Sequence, residues 1–107
     1  NHNYPQWLND LLADLNTIDA ISSNITALAE KYGYRPEHLS REFKKYTGKT
    51  LVSYVNDLKL NYCCNLLQNT SLPLWKIANS VGFYSQAHFT RLFKEKYGIT
   101  PLQYRKN

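Results

Sequence analysis

At 107 residues the chain suits one compact domain and looks too short for two independent cores. Thirteen Lys and Arg against eight Asp and Glu leave a net charge of +5, with only two cysteines, adjacent at Cys63 and Cys64, so no disulfide framework is available. No apolar run approaches the roughly 20 residues that span a bilayer and no charged-then-apolar leader opens the chain, so a soluble, cytoplasmic protein is expected, and the absence of methionine suggests a piece of a longer one.

Apolar residues recur with a helical period throughout, and no alternating strand pattern interrupts them. Pro5 suits the first turn of a helix with Trp7, Leu8, Leu11, Leu12 and Leu15 on its apolar face. Asn24 is placed to cap a short helix carrying Ile25, Leu28, Ala29 and Tyr32, which Gly33 ends. Pro36 opens a third helix that turns Leu39, Phe43 and Tyr46 inward and stops at Gly48. The longest pattern runs from Leu51 to Gln68. Leu51, Tyr54, Val55, Leu58, Tyr62 and Leu66 form one stripe, and Leu60, Cys63, Cys64 and Leu67 a second. A helix apolar on two sides is expected between two packing partners. The next helix begins near Ser71 or Leu72, with Pro73 in a first turn, Leu74, Ile77, Ala78 and Val81 inward, and Gly82 as its stop. Ser85 caps a sixth helix with Phe89, Phe93 and Tyr97 inward and Gly98 as terminator. Thr100-Pro101 then caps and opens a last turn through Tyr104. The expected fold class is all-α, with about seven helices.

The chain contains an internal repeat. Shifting residues 38–54 by fifty positions pairs His38 with His88, Arg41 with Arg91, Phe43 with Phe93, Lys44 with Lys94, Gly48 with Gly98, Thr50 with Thr100 and Tyr54 with Tyr104. Leu39 and Phe89 match conservatively. Upstream the offset falls to forty-nine, pairing Ala29 with Ala78 and Gly33-Tyr34 with Gly82-Phe83, so the second copy has one extra residue after its glycine. The expected organisation is one domain built of two such copies. A first unit covers 1–50, with its motif at 24–45. A linker helix covers 51–68, and a second unit covers 71–107, with its motif at 74–97.

Each copy places a small residue mid-helix (Ala29, Ala78), a glycine four residues later, an aromatic anchor (Tyr34, Phe83) and then a second helix. The small residue lets two helices cross closely, and the glycine takes the left-handed turn between them. On the second helix of the first copy, Glu37, Ser40, Arg41 and Lys44 lie opposite Leu39 and Phe43. In the second copy Gln86, Ala87, Thr90, Arg91 and Lys94 lie opposite Phe89 and Phe93. Short polar groups plus arginine suit base edges and phosphates in a DNA major groove. His38 and His88, at the starts of these helices, are read as packing or helix-end residues. Charge agrees with the groove reading. Residues 1–34 hold Asp10, Asp14, Asp19 and Glu30 against Lys31 alone, a balance of −3, whereas residues 35–107 balance at +8. Cations that meet phosphates release condensed counterions, so a polyanion is the partner such a surface favours.

The run from Ile77 to Lys94, followed by Tyr97-Gly98-Ile99-Thr100-Pro101 and Tyr104-Arg105, resembles the signature of AraC/XylS-type transcriptional regulators. The resemblance covers nearly all of the chain after its first helix. It implies two helix-turn-helix units that place recognition helices in successive major grooves of double-stranded DNA, with Arg35 through Lys45 and Tyr84 through Lys94 facing the DNA. Arg35, Lys45, Tyr84 and Ser85 thereby join the candidate contacts. It also implies RNA polymerase as a candidate partner, and an upstream domain as the holder of any effector ligand. The stretches Pro36–Arg41 and Tyr54–Leu60 look like those of regulators of sugar operons, such as chitobiose or cellobiose regulators. The linker helix departs from the family pattern, with Lys59 and Cys63 where relatives often carry Arg and Ala.

An enzyme would need a convergent set of acid, base or nucleophile. Cys63 and Cys64 sit on an apolar helix and read as small core residues, three scattered histidines lack metal-ligand spacing, and no glycine-rich phosphate loop occurs. No catalysis, metal or cofactor is expected. Basic residues on two separate helices also argue against a membrane surface. The rival reading is a helical protein-interaction module that binds no DNA. Added salt separates the two, because it weakens DNA binding steeply.

Overall fold

The computed structural model describes residues 3–107. Within them the chain forms eight helices: α1 (Gln6–Asp14), α2 (Ile18–Ser22), α3 (Ile25–Lys31), α4 (Pro36–Thr47), α5 (Leu51–Asn69), α6 (Leu74–Ser80), α7 (Gln86–Tyr97) and α8 (Pro101–Lys106). None of the described helices is long and apolar enough to cross a membrane. The fold is all-helical and contains two helix-turn-helix subdomains, α3–α4 and α6–α7.

Local chemistry sets most helix ends. Asn24 and Ser85 accept hydrogen bonds from the Ala27 and His88 amides, at 2.8 and 3.0 Å, satisfying donors that a helix start leaves unpaired. Thr100 and Gln103 form a reciprocal capping box ahead of Pro101. Two expectations shift slightly. Pro5 and Pro73 stand one place outside their helices, because their ψ angles of 156° and 153° are extended rather than helical. The short α2, absent from the sequence reading, is capped by Thr17, whose hydroxyl accepts from the Ala20 amide at 3.2 Å. Its five residues bury only Ile21, which leaves no periodicity to read.

The chain divides into two compact units, Asn1–Asp57 and Leu58–Asn107. Each unit holds its own share of the buried apolar side chains. In the first, Leu8 and Leu11 of α1 and Leu15 at its C-cap are buried, as are Leu28, Ala29, Leu39, Phe43 and Leu51. In the second, Leu67, Ile77, Ala78, Val81, Phe89 and Phe93 are at most 2% exposed. Removing each such Leu or Phe from water stabilises its unit by about 1.5–3 kcal/mol before entropy is counted.

The two helix-turn-helix turns share one geometry. The Tyr34 amide donates to the Ala29 carbonyl at 2.9 Å, and the Phe83 amide donates to the Ala78 carbonyl at 3.0 Å. Gly33 and Gly82 occupy the left-handed turn position between, at φ of 76° and 84°. Ala29 and Ala78 are fully buried, as a close helix crossing requires. In the first unit Phe43 meets Tyr54 edge-on at 5.3 Å; in the second Phe93 meets Tyr104 edge-on at 5.5 Å. The repeat in the sequence is thus a repeat in packing.

Tyr62 departs from its expected inward place and is 38% exposed. Steps of four residues rotate about 40° round a helix of 3.6 residues per turn, so a series at 54, 58 and 62 drifts off the buried face. Cys63, Cys64 and Leu67 lie three, four and seven residues beyond Leu60, which keeps them on one face, and all are buried. At the end of α5, Arg105 of α8 donates from Nε to the Leu67 carbonyl and from Nη2 to the Thr70 carbonyl, at 3.2 and 3.3 Å. Those bonds reach carbonyls at the end of α5, where a helix runs out of its own donors.

Candidate nucleic-acid interface

The second helix of each subdomain has one buried face and one open face. On α4, Leu39 and Phe43 are fully buried; Glu37, Arg41, Lys44 and Lys45 are exposed and Ser40 is half-buried. Arg35 stands exposed at the N-cap, just ahead of Pro36. On α7, Phe89 and Phe93 are fully buried; Gln86, Ala87, Arg91 and Lys94 are exposed and Thr90 is half-buried. Tyr84 is 96% exposed at the turn, and Ser85, also exposed, spends its hydroxyl on the cap. All thirteen residues picked from the sequence therefore lie at least partly open to solvent, six on or beside α4 and seven on or beside α7.

Both helices end alike. Gly48 and Gly98 adopt φ of 80° and 82°, and each donates its amide at 2.8 Å, to the Lys44 and Lys94 carbonyls respectively. Lys44, Lys45, Lys94 and Lys96 lie in the last turns, where the helix dipole favours positive charge. Beside α4, Ser40, Arg41, Lys44 and Lys45 line an open surface groove of about 530 Å³ together with Thr50, Leu51 and Val52. The groove gathers four of the six first-copy residues on one cationic edge.

The histidines set aside in the sequence prove to touch the arginines. Arg41 donates from Nη2 to His38 Nδ1 at 3.3 Å, and Arg91 donates from Nη2 to His88 Nδ1 at 3.0 Å. The His38 ring lies 4.9 Å from the Tyr34 ring, and the His88 ring 5.8 Å from Phe83. The packing role expected for both histidines is present, and the arginine contact is added to it. A signal existed in the sequence, a His-x-x-Arg spacing held in both copies. Arg91 has a further partner in Glu95, whose Oε2 lies 3.4 Å from Nη1; the matching position in the first copy is Lys45.

Elsewhere the chemistry is quiet. Cys63 and Cys64 are free and buried. Burial, and after it the neighbouring Cys64, pushes the Cys63 thiol up to about 12, against a smaller opposing effect of Lys59. Such a thiol is a poor nucleophile at neutral pH. Burial in turn lowers the Lys59 ammonium from its ordinary value, and its Nζ lies 5.2 Å from the centre of the Phe83 ring.

Comparison with known proteins brings one family forward. The helix-turn-helix domain family matches residues 28–107. PqrA of Proteus vulgaris, a probable transcription factor, is 41% identical over 83 residues, which are 78% of this chain and 68% of its own. The regulatory protein SoxS of Escherichia coli (strain K12) is 33% identical over 98 residues, 92% of either chain. Among solved structures, the C-terminal domain of the two-component response regulator yesN from Fusobacterium nucleatum matches with a TM-score of 0.75 at 30% identity, over 94% of both chains.

Proposed function

Because the chain belongs to the AraC/XylS-type helix-turn-helix family, and is a DNA-binding domain of a transcriptional regulator rather than an enzyme, we propose that α4 and α7 are its two reading helices. Arg41 and Arg91 meet base edges; Glu37, Ser40, Gln86, Ala87 and Thr90 complete the contact in the groove. Arg35, Lys44, Lys45, Tyr84, Ser85 and Lys94 hold the phosphate backbone on either side. The observation that carries this reading is the matched open face of α4 and α7, with an arginine at the same place on each. Arginine is the side chain best suited to guanine, because its planar fork pairs two donors with O6 and N7.

One chain carries both reading helices, so a single copy has no need of a palindrome and covers roughly two helical turns of DNA, each about 34–36 Å. The domain acts in the cytoplasm, with RNA polymerase as a second partner, and any effector binds to a segment upstream. The genes it controls belong to metabolism, carbohydrate use first. That assignment rests on residues 36–41 and 54–60 alone.

The test is selection of a binding site from random duplexes, followed by footprinting and by Arg91→Ala. The variant is expected to lose about 1–3 kcal/mol on the selected site and to tolerate base changes at one position. An equal loss on every sequence would make Arg91 a phosphate contact. Binding that ignores salt would favour the protein-interaction reading instead.

A further inference from the structure

We propose that His88 is a positioning residue for Arg91, and His38 for Arg41: each imidazole accepts through Nδ1 and holds the guanidinium in one orientation before DNA arrives. The proposal rests on the reading of Arg91 as a base contact and adds the element that makes the contact selective. A guanidinium has donors only, so a bond at 3.0 Å to Nδ1 requires a bare Nδ1 and a proton on Nε2. The tautomer is thereby fixed by the partner.

The rings are themselves held. His88 meets Phe83 edge-on, with 71° between the planes, and Phe83 is only 5% exposed. The His88 amide donates to the Ser85 cap, which pins the backbone beneath the ring. In the first copy Tyr34 takes the place of Phe83, 4.9 Å from His38. A line of contact therefore runs from the anchor in the turn, through the imidazole, to the arginine on the open face. Spacing of three residues makes the two side chains neighbours on a helix surface.

The repeat separates this device from chance contact. His38 and Arg41 recur as His88 and Arg91, whereas residues around them differ between copies: Ser40 against Thr90, Glu42 against Leu92, Lys45 against Glu95. The pair and its bond recur in both copies, as Phe43 with Phe93 and Lys44 with Lys94 also do, although these other neighbours differ. An unheld arginine meets many base and phosphate acceptors with similar ease. One whose rotamer is already restricted loses less freedom on binding and favours the acceptor it is aimed at.

Two measurements on the full 107-residue chain test the proposal. In the free protein, long-range 15N–1H spectra of the imidazoles are expected to show His88 as the Nε2–H tautomer. Arg91→Ala is expected to move the Nδ1 resonance towards that of an unbonded ring. On the selected DNA site, His88→Phe keeps a ring against Phe83 and removes the acceptor. Its discrimination between base pairs at the Arg91 position is expected to fall about fivefold, within the range of contact couplings, with the salt dependence unchanged. His88→Asn, which returns an acceptor near the place of Nδ1, restores discrimination, and His88→Phe adds no further loss once Arg91 is alanine. An Nδ1–H tautomer, or an equal loss on all sequences in both backgrounds, overturns the positioning role. Base discrimination that survives Arg91→Ala overturns the reading of Arg91 itself, and the spectra then still decide the imidazole contact. Should His88→Phe fail to fold, the spectra of the native chain and of Arg91→Ala decide alone.

Discussion

Phe93 is fully buried, with the rings of Phe89, Tyr97 and Tyr104 at 5.8, 4.6 and 5.5 Å. Edge and tilted contacts of this kind add to simple burial, because the ring edge is positive and the face negative. Phe93→Ala is expected to cost about 3–5 kcal/mol in urea unfolding. An unchanged midpoint would mean that the cavity closes or that this face of α7 is misread. Its inward place was legible, since Phe89, Phe93 and Tyr97 are spaced by one turn. The histidine bonds were not legible in the same way. The sequence carries the spacing of His88 and Arg91, but Arg91 has many rotamers and only the folded surface selects one.

At the scale of elements, α1 is tied to α3 by polar contacts at their ends. Lys31 lies 2.7 Å from Asp14, and the Tyr32 hydroxyl also donates to that carboxylate. The hydrogen bond from Lys31, followed by that from Tyr32, holds the Asp14 carboxyl below its ordinary 3.8. Burial, then the same bond, raises Tyr32 in turn. A carboxyl depressed in the folded state adds stability above its unfolded value and loses it as pH falls through the folded one. Asp14→Asn is therefore expected to unfold at lower urea than the parent at pH 7, with the gap closing below about pH 3. Urea titrations at the two pH values check this; a gap that persists in acid would assign the loss to packing. The sequence offered Asp14 and Lys31 only as charges. Their seventeen-residue separation is closed by the fold, across the intervening α2, which is too short to announce itself.

For the molecule as a whole, the acidic first third and the basic remainder predict how it meets a polyanion. Each phosphate neutralised steepens the dependence of log K on log salt by about 0.9. Lys44 is exposed at the end of α4, beside the groove shared with Arg41 and Lys45. Lys44→Ala is expected to weaken binding to all sequences alike and to reduce the salt slope by about 1, read from titrations over a range of salt. A slope left at the parent value would remove Lys44 from the phosphate contacts.

Helix type, the repeat, both glycine-ended turns and the open faces of α4 and α7 were determined by the sequence itself. Each rests on local chemistry: a period of 3.6, caps at Asn24, Ser85 and Thr100, and glycines at positive φ. Tertiary structure decided the rest. It exposed Tyr62 by helical drift and carried Arg105 to the end of α5. It also set His88 against Arg91. These outcomes depend on where separate segments, or long side chains with many rotamers, come to rest, and spacing along a chain does not encode that position in space.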